Sequence, residues 1–337
     1  MNNILVIQTA FLGDVILTTP LVTALRKSYP HALIDVIAIP IGAEVWKNNP
    51  HIRTVWVYDK NGIHKKTGDL FRLISSLKKK NYDWVITPHR SIRSAFISFA
   101  TGAKRRTSFD RSAGSFLFYN DVHPYRANVH EVQRNLDLIK ITDDTQKSIP
   151  ELFPSSEEKD KVTSQLEDSG IFTPFVTVSP GSVWFTKKWP EEYYCDLVIL
   201  LKKENIHVVF IGGLKDRDLI SSIMDQTAWG KNLGGLLNPR ESFWVIKQSS
   251  CLVCNDSAPL HMASGAQTPS ISIFGATVPE FGFGPYGSAN NSIMQKNDLS
   301  CRPCGIHGGN ECPIDTFECM FSTKSVQVLA EIKKRLQ

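Results

Sequence analysis

The sequence predicts an α/β protein of two Rossmann-like domains with parallel sheets facing a central cleft, residues 1–165 forming the first and 170–337 the second. Three observations point there. The 337-residue chain exceeds the roughly 250–300 residues over which one hydrophobic core keeps growing. Short apolar, β-branched runs alternate with segments of helical pattern, which implies parallel sheets covered on both faces. The strand-loop-helix unit at the N-terminus also recurs after the middle of the chain.

Ile4–Ile7 is the first such run, followed by a loop holding Gly13 and a helical pattern over Val15–Lys27. Leu33–Ile39, Val55–Tyr58 and Trp84–Thr87 read as strands, Asp69–Lys80 as a helix between them, and Val129–Ile141 as a helix after the turn at Pro124. Residues 142–160 turn polar, with Asp143, Asp144, Pro150 and Pro154, a linker composition that runs into a helix over Glu157–Ser169. The second half opens on the strand Phe175–Ser179 and the loop PGSVWFTKKWP, then adds strands at His207–Ile211, Cys251–Asn255 and Ser270–Phe274. Open α/β sheets bind ligands beyond the carboxyl ends of their strands, so a cleft shared by two such sheets is where a site belongs.

Composition narrows the class. Hydrophobic residues at 42% and charged residues at 21% are globular values, which excludes disorder and fibrous architecture. The first 20 residues are apolar but lack a basic leader and carry Asp14, so no signal peptide is read. No run approaches the roughly 18 apolar residues of a membrane span. A cytoplasmic protein is expected, with peripheral contact at the inner membrane and no nucleic-acid partner. The net charge of +5 suits an anionic ligand or an anionic membrane face, and equally a merely soluble surface.

Four motifs fall at strand ends. Gly13-Asp14, within GDVILTTP, places a carboxylate where a general base is needed; capping of the following helix is the alternative. Pro180-Gly181-Ser182 with Lys187 combines close backbone approach, donors and a cation, the makings of a diphosphate site, or else a surface turn with solvated lysines. Ile211-Gly212-Gly213 followed by Asp216 offers an acid to a ribose diol, or an N-cap. Asn255-Asp256-Ser257-Ala258-Pro259-Leu260-His261 leads from a strand into a helix whose N-terminus favours an anion, with His261 either at the ligand or packed between helix and sheet. His89-Arg90-Ser91-Ile92-Arg93 and Lys104-Arg105-Arg106 add guanidinium forks for phosphates or carboxylates, or solvated surface charge.

The order GDVILTTP, PGSVWFTKKWP, IGG with Asp216, NDSAPLHMAS and IFGATVP resembles glycosyltransferase family 9, the ADP-heptose:lipopolysaccharide heptosyltransferases, over nearly the whole chain. The resemblance implies a GT-B fold, an acceptor on the N-terminal domain, a nucleotide-sugar donor on the C-terminal domain, inversion at the anomeric carbon and no metal or cofactor requirement. ADP-heptose would be the donor, and a lipid-linked acidic saccharide of the lipopolysaccharide inner core the acceptor. Position by position, Asp14 matches the catalytic base and Lys187 the lysine that neutralises the diphosphate. Ser182 and Val183 match loop positions near the phosphates, Asp216 the ribose-binding acid, and Leu237 an apolar residue against the nucleobase. Asp256, Ser257, Ala258 and His261 match the segment holding phosphate and donor sugar, Ala258 replacing the usual glycine. Arg90 and Arg106 fall at recurrent family positions and, with Arg93, could grip the acidic acceptor. Epimerases of the same fold, another cell-envelope glycan as acceptor, and a non-catalytic binding protein are the rival readings.

Cys301, Cys304, Cys312 and Cys319 form C-x2-C-x7-C-x6-C, the count of a structural zinc site with zinc-like spacing in its first pair, or a buried reduced cluster. Neither reading gives them catalysis. Cys251 and Cys254, three apart on a strand, point to opposite faces and cannot readily share a metal.

Overall fold

A computed structural model describes residues 1–140, 148–287 and 290–336. The chain divides into two compact units, Met1–Phe153 and Pro154–Gln337.

In the first unit the elements run β1 (Asn3–Ile7), α1 (Leu12–Ser28), β2 (Leu33–Ala38), α2 (Pro40–Trp46), β3 (Thr54–Val57), a 3-10 turn at Ile63–Lys65, α3 (Thr67–Lys78), β4 (Trp84–Ile86), α4 (Ile92–Ala100), β5 (Arg105–Phe109), α5 (Ser115–Phe118), β6 (Asp121–His123) and α6 (Glu131–Asp137). They build one parallel sheet in the order β3-β2-β1-β4-β5-β6. Ile4, Leu5, Val6 and Ile7 are all fully buried, as a central strand covered on both faces requires. Helix α1 carries Pro20 in its interior. Proline cannot donate to the carbonyl of Ile16, and the Thr19 hydroxyl donates to that carbonyl instead, at 2.8 Å.

The second unit runs α7 (Ser156–Glu167), β7 (Phe175–Ser179), a 3-10 turn at Phe185–Lys187, α8 (Glu191–Lys203), β8 (His207–Phe210), a 3-10 turn at Leu214–Asp216, α9 (Arg217–Thr227), β9 (Lys231–Asn232), α10 (Pro239–Gln248), β10 (Cys251–Asn255), α11 (Ala258–Ala266), β11 (Ser270–Ile273), a 3-10 turn at Pro279–Phe281, β12 (Ser292–Met294), α12 (Glu318–Phe321) and α13 (Ser325–Leu336). Its parallel sheet has the order β12-β11-β10-β7-β8-β9. Counted from the start of each unit, both sheets have the order 3-2-1-4-5-6. The direction of winding therefore reverses between β1 and β4 in one unit and between β7 and β10 in the other, and a ligand crevice opens at such a reversal.

The division between units lies a dozen residues before the expected end of the first domain at 165. Helix α7 is the reason. Ser155 and Glu158 form a capping box at its start, and the same Glu158 accepts from Asn238, the N-cap of α10, at 2.9 Å and from Arg240 Nε of α10 at 3.0 Å. Lys161 adds an ion pair to Glu241 at 2.7 Å, so α7 belongs to the second core. The predicted helix Val129–Ile141 starts at Glu131 and ends at Asp137; Ile141 and the linker residues 142–147 lie outside the described residues. Arg105 and Arg106, read as part of a basic cluster, open strand β5.

Candidate active site

In the second unit, the loop after β7 meets the end of β10. Asn255, fully buried, holds the two together: its Nδ2 donates to the Pro180 carbonyl at 2.8 Å, and its Oδ1 accepts from Trp189 N at 3.0 Å and Tyr194 Oη at 3.2 Å. The loop is thereby clamped at both ends. Between the clamps, Thr186 N donates to the Gly309 carbonyl at 3.1 Å, and Gly309 N returns a bond to Thr186 Oγ1 at 2.8 Å. Lys187, one residue on, sets its Nζ 2.5 Å from Asp256 Oδ2. Thr277 Oγ1 donates to that same oxygen at 2.6 Å. The sequence motifs that suggested a phosphate site thus converge on one buried, charge-paired point.

Asp216 closes the 3-10 turn, where its Oδ2 accepts from Gly213 N at 2.8 Å. It stands at the N-cap of α9 without a side-chain capping bond to that helix. A Cβ on Gly181 would lie 2.1 Å from Asp216 Oδ1, so glycine in the PGS motif is what lets this carboxylate lie against the loop. Ala258 is the first residue of α11 and has no positive φ. Alanine in place of glycine therefore carries no left-handed strain. Pro259 follows in the first turn, and Ser257, at the N-cap, turns its hydroxyl to the Asn255 carbonyl at 3.3 Å. His261 is buried with its ring 6.4 Å from Phe283. Ser182 and Leu237 are half-buried and Val183 is exposed.

In the first unit, Asp14 lies in the first turn of α1, half-buried. The N-cap is Phe11, so Asp14 is not the capping residue. Its neighbourhood is set by the packing of α1 on α6. Asn135 Nδ2 donates to the Leu17 carbonyl at 3.1 Å and approaches Thr18 Oγ1 at 3.4 Å. Asp14 stands one turn before Thr18, and Glu131 one turn before Asn135, which brings the two carboxyls near each other. Glu131 is buried and its carboxyl is pushed up to about 7, first by burial and then by the charge of Asp14, with Arg134 and Arg90 opposing. Arg134, almost wholly buried, pairs with Glu131 Oε2 at 2.8 Å, donates Nε and Nη2 to the Val129 carbonyl at 3.0 and 2.8 Å, and bonds the Tyr125 hydroxyl. Arg90 stacks on the Tyr125 ring at 4.2 Å. His89 Nδ1 meets Thr9 Oγ1 at 2.9 Å and Ser94 Oγ at 3.0 Å. Burial, then Lys60 and Arg90, lowers this imidazole to about 4, so it is neutral near pH 7.

Sequence reasoning missed Glu131, Arg134 and Tyr125. The available signal was in HEVQRNL, where Glu131 and Arg134 share a helix face with no solvent-facing rhythm to explain them. The three arginines also separate. Arg90 joins this cluster, and Arg93 is exposed on α4. Arg106 donates Nε to the Phe118 carbonyl at 2.8 Å and Nη1 to the Ala103 carbonyl at 2.6 Å, holding β5 to its neighbours.

The four clustered cysteines line one cavity of about 230 Å³ in the second unit. Cys312 receives the Phe317 N–H at 3.4 Å, and surrounding backbone N–H groups lower its thiol against the opposing effect of burial, the largest single influence. Burial pushes Cys319 up to about 11. Among the described residues no group of three or more His, Cys, Asp or Glu side chains is arranged to hold a metal ion, and no helix is long and apolar enough to cross a membrane.

Lipopolysaccharide heptosyltransferase 2 of Escherichia coli K12 is 26% identical over 295 residues, covering 83% of this chain and 84% of its own. Lipopolysaccharide heptosyltransferase 1 of Pseudomonas aeruginosa is 26% identical, with coverage of 97% and 93%. Among solved structures, a family 9 glycosyltransferase from Veillonella parvula superposes with a TM-score of 0.87 at 21% identity, covering 99% of this chain and 97% of its own. E. coli ADP-heptose heptosyltransferase II superposes with a TM-score of 0.81 at 24% identity, covering 100% and 98%. The fold is GT-B. Residues 70–309 match glycosyltransferase family 9 (heptosyltransferase), and the chain belongs to that family and is a glycosyltransferase.

Proposed function

We propose that this enzyme transfers a heptose, with inversion, from ADP-heptose to the lipopolysaccharide inner core, onto a lipid A–Kdo or heptosyl acceptor. The observation that carries the reading is Asp14. It stands at the β1/β4 reversal, near the buried Glu131 whose carboxyl Arg90 also influences, in a chain whose relatives are lipopolysaccharide heptosyltransferases along most of their length.

In this reading the acceptor hydroxyl oxygen bonds to the anomeric carbon as the bond from that carbon to the diphosphate breaks. Asp14 takes the hydroxyl proton, and ADP leaves with the bonding pair. Lys187 exchanges its Asp256 partner for the diphosphate, and with the N-terminus of α11 offsets the charge that develops on the leaving group. Asp216 accepts from the ribose, Leu237 lies against the base, Ser182 and Val183 line the phosphate loop, and Ser257, Ala258 and His261 lie toward the donor sugar. Residues of the second unit thus hold the donor, and those of the first, with Arg90 and Arg93, the acidic acceptor. The chemistry as written needs no metal and no cofactor.

The net charge of +5 and the amphiphilic acceptor support a peripheral role at the cytoplasmic face of the inner membrane. Incubation with a panel of nucleotide sugars and truncated lipopolysaccharide acceptors, read by mass spectrometry, tests the whole proposal. A heptosylated acceptor supports it. A new nucleotide-sugar isomer without transfer would instead make the protein an epimerase.

A further inference from the structure

Helix α4 is built inside out. Its sequence, IRSAFISFA, buries Ser94, Ala95, Ile97 and Ser98 and leaves Ile92, Phe96 and Phe99 exposed. Those three positions, i, i+4 and i+7, form one stripe of helix surface. The inward serine is engaged, since Ser94 Oγ meets both His89 and Thr9 at 3.0 Å, so rotating the helix to hide its aromatic face would break that contact. Helix α5 widens the stripe. Phe116 is 90% and Leu117 60% exposed, and α5 is held to α4 by the Phe99 and Phe118 rings, edge to face at 5.7 Å. Contiguous apolar surface of this kind marks an interaction site rather than an ordinary soluble exterior.

Cations border it. A cavity of about 380 Å³ beside the stripe is lined by Ile92, Phe96 and Phe118 on one side and by Lys60, Lys65 and Arg93, and Lys66 follows, exposed. The acids of the same segment are engaged locally: Asp59 Oδ1 accepts from Gly62 N at 2.8 Å, and Asp69 Oδ1 from Arg72 at 2.8 Å. The edge therefore presents positive charge next to aromatic and aliphatic side chains. An anionic bilayer accepts both at once, apolar side chains at the acyl boundary and cations at the phosphates.

We propose that the α4–α5 face docks on the surface of an anionic lipid bilayer, with Phe116 and Leu117 inserted and Lys65 and Lys66 on lipid phosphates. This deepens the peripheral role proposed above and rests on it. Because the first turn of α4 carries Ser94, against His89 and Thr9 just beyond β4 and β1, docking would hold the acceptor-side residues close to the lipid that carries the acceptor.

Flotation of the full-length protein with phosphatidylcholine vesicles, with and without phosphatidylglycerol, tests it. The wild type should float with the anionic vesicles and stay behind with the neutral ones, and Phe116→Ser/Leu117→Ser should weaken binding to anionic vesicles by about tenfold or more. Both residues are exposed, so the variant's melting temperature and its turnover with a delipidated, water-soluble acceptor should match the wild type. Equal partition of wild type and variant, or no binding by the wild type, overturns the proposal. Loss of turnover on the soluble acceptor in both proteins would sink the transferase reading, while the flotation result still decides the surface.

Discussion

The two units share a strand order and differ in what they place at the reversal of winding. In the second unit a cation and an anion, Lys187 and Asp256, lie paired at 2.5 Å in a loop clamped by Asn255. In the first unit two carboxyls, Asp14 and Glu131, share a neighbourhood with Arg134 and Arg90, and one of them is raised into the physiological range. Opposite charges in contact make a site ready to exchange one partner for an incoming anion. A buried carboxyl with a second carboxyl nearby makes a site whose proton affinity is tuned, by burial first and the like charge after it. One topology has been given two electrostatic tasks.

That contrast can be broken most forcefully at Asp14. Asp14→Asn should lower turnover by about 10²–10⁴-fold, the usual contribution of a positioned general base, with ADP affinity and melting temperature unchanged. Wild-type turnover at saturating donor would move the base elsewhere.

Glu131 tests the tuning itself. Its carboxyl is raised from 4.5 to about 7, so its contribution to stability is fully present below about pH 4.5 and is lost as pH rises through 7. The loss corresponds to about 3 kcal/mol. Glu131→Gln cannot ionise, so urea unfolding at acid and alkaline pH should show the variant gaining on the wild type by about that amount as pH rises. A stability difference that stays flat with pH would mean the carboxyl titrates normally.

The paired site of the second unit should respond more modestly. Lys187→Ala should raise KM for the donor and lower kcat together, each by about tenfold, because a charge at the diphosphate acts in ground and transition states alike. Unchanged kinetic constants would assign Lys187 to holding Asp256 and nothing more. The smallest effect is expected at Ala258. Because its backbone is already helical, Ala258→Gly should leave ADP affinity by calorimetry unchanged and alter stability by no more than about 1 kcal/mol. A clear gain in affinity would show that the side chain itself crowds the donor.

Much of this was readable from sequence because buried parallel strands are short apolar runs, and every run named in advance is a strand. The strands left unnamed were those with polar or charged residues, such as Arg105–Phe109, where the basic side chains mask the pattern. The placement of the second-unit motifs at strand ends was legible because each is continuous in sequence. Glu131 and Arg134 were not, since their meaning depends on α6 lying across α1, a contact between residues more than a hundred positions apart. Arg106 is the complementary case. A guanidinium looks the same in sequence whether it faces a ligand or, as here, two backbone carbonyls of its own fold.

Because each unit completes its own six-stranded sheet, and α7 lies wholly on the far side of the division at Phe153, the chain is modular in a sense that matters for its history. Variation in one half leaves the other's core untouched. A lineage could therefore keep one half while the partner half diversified, and chimaeras joined at 153/154 offer the laboratory the same route.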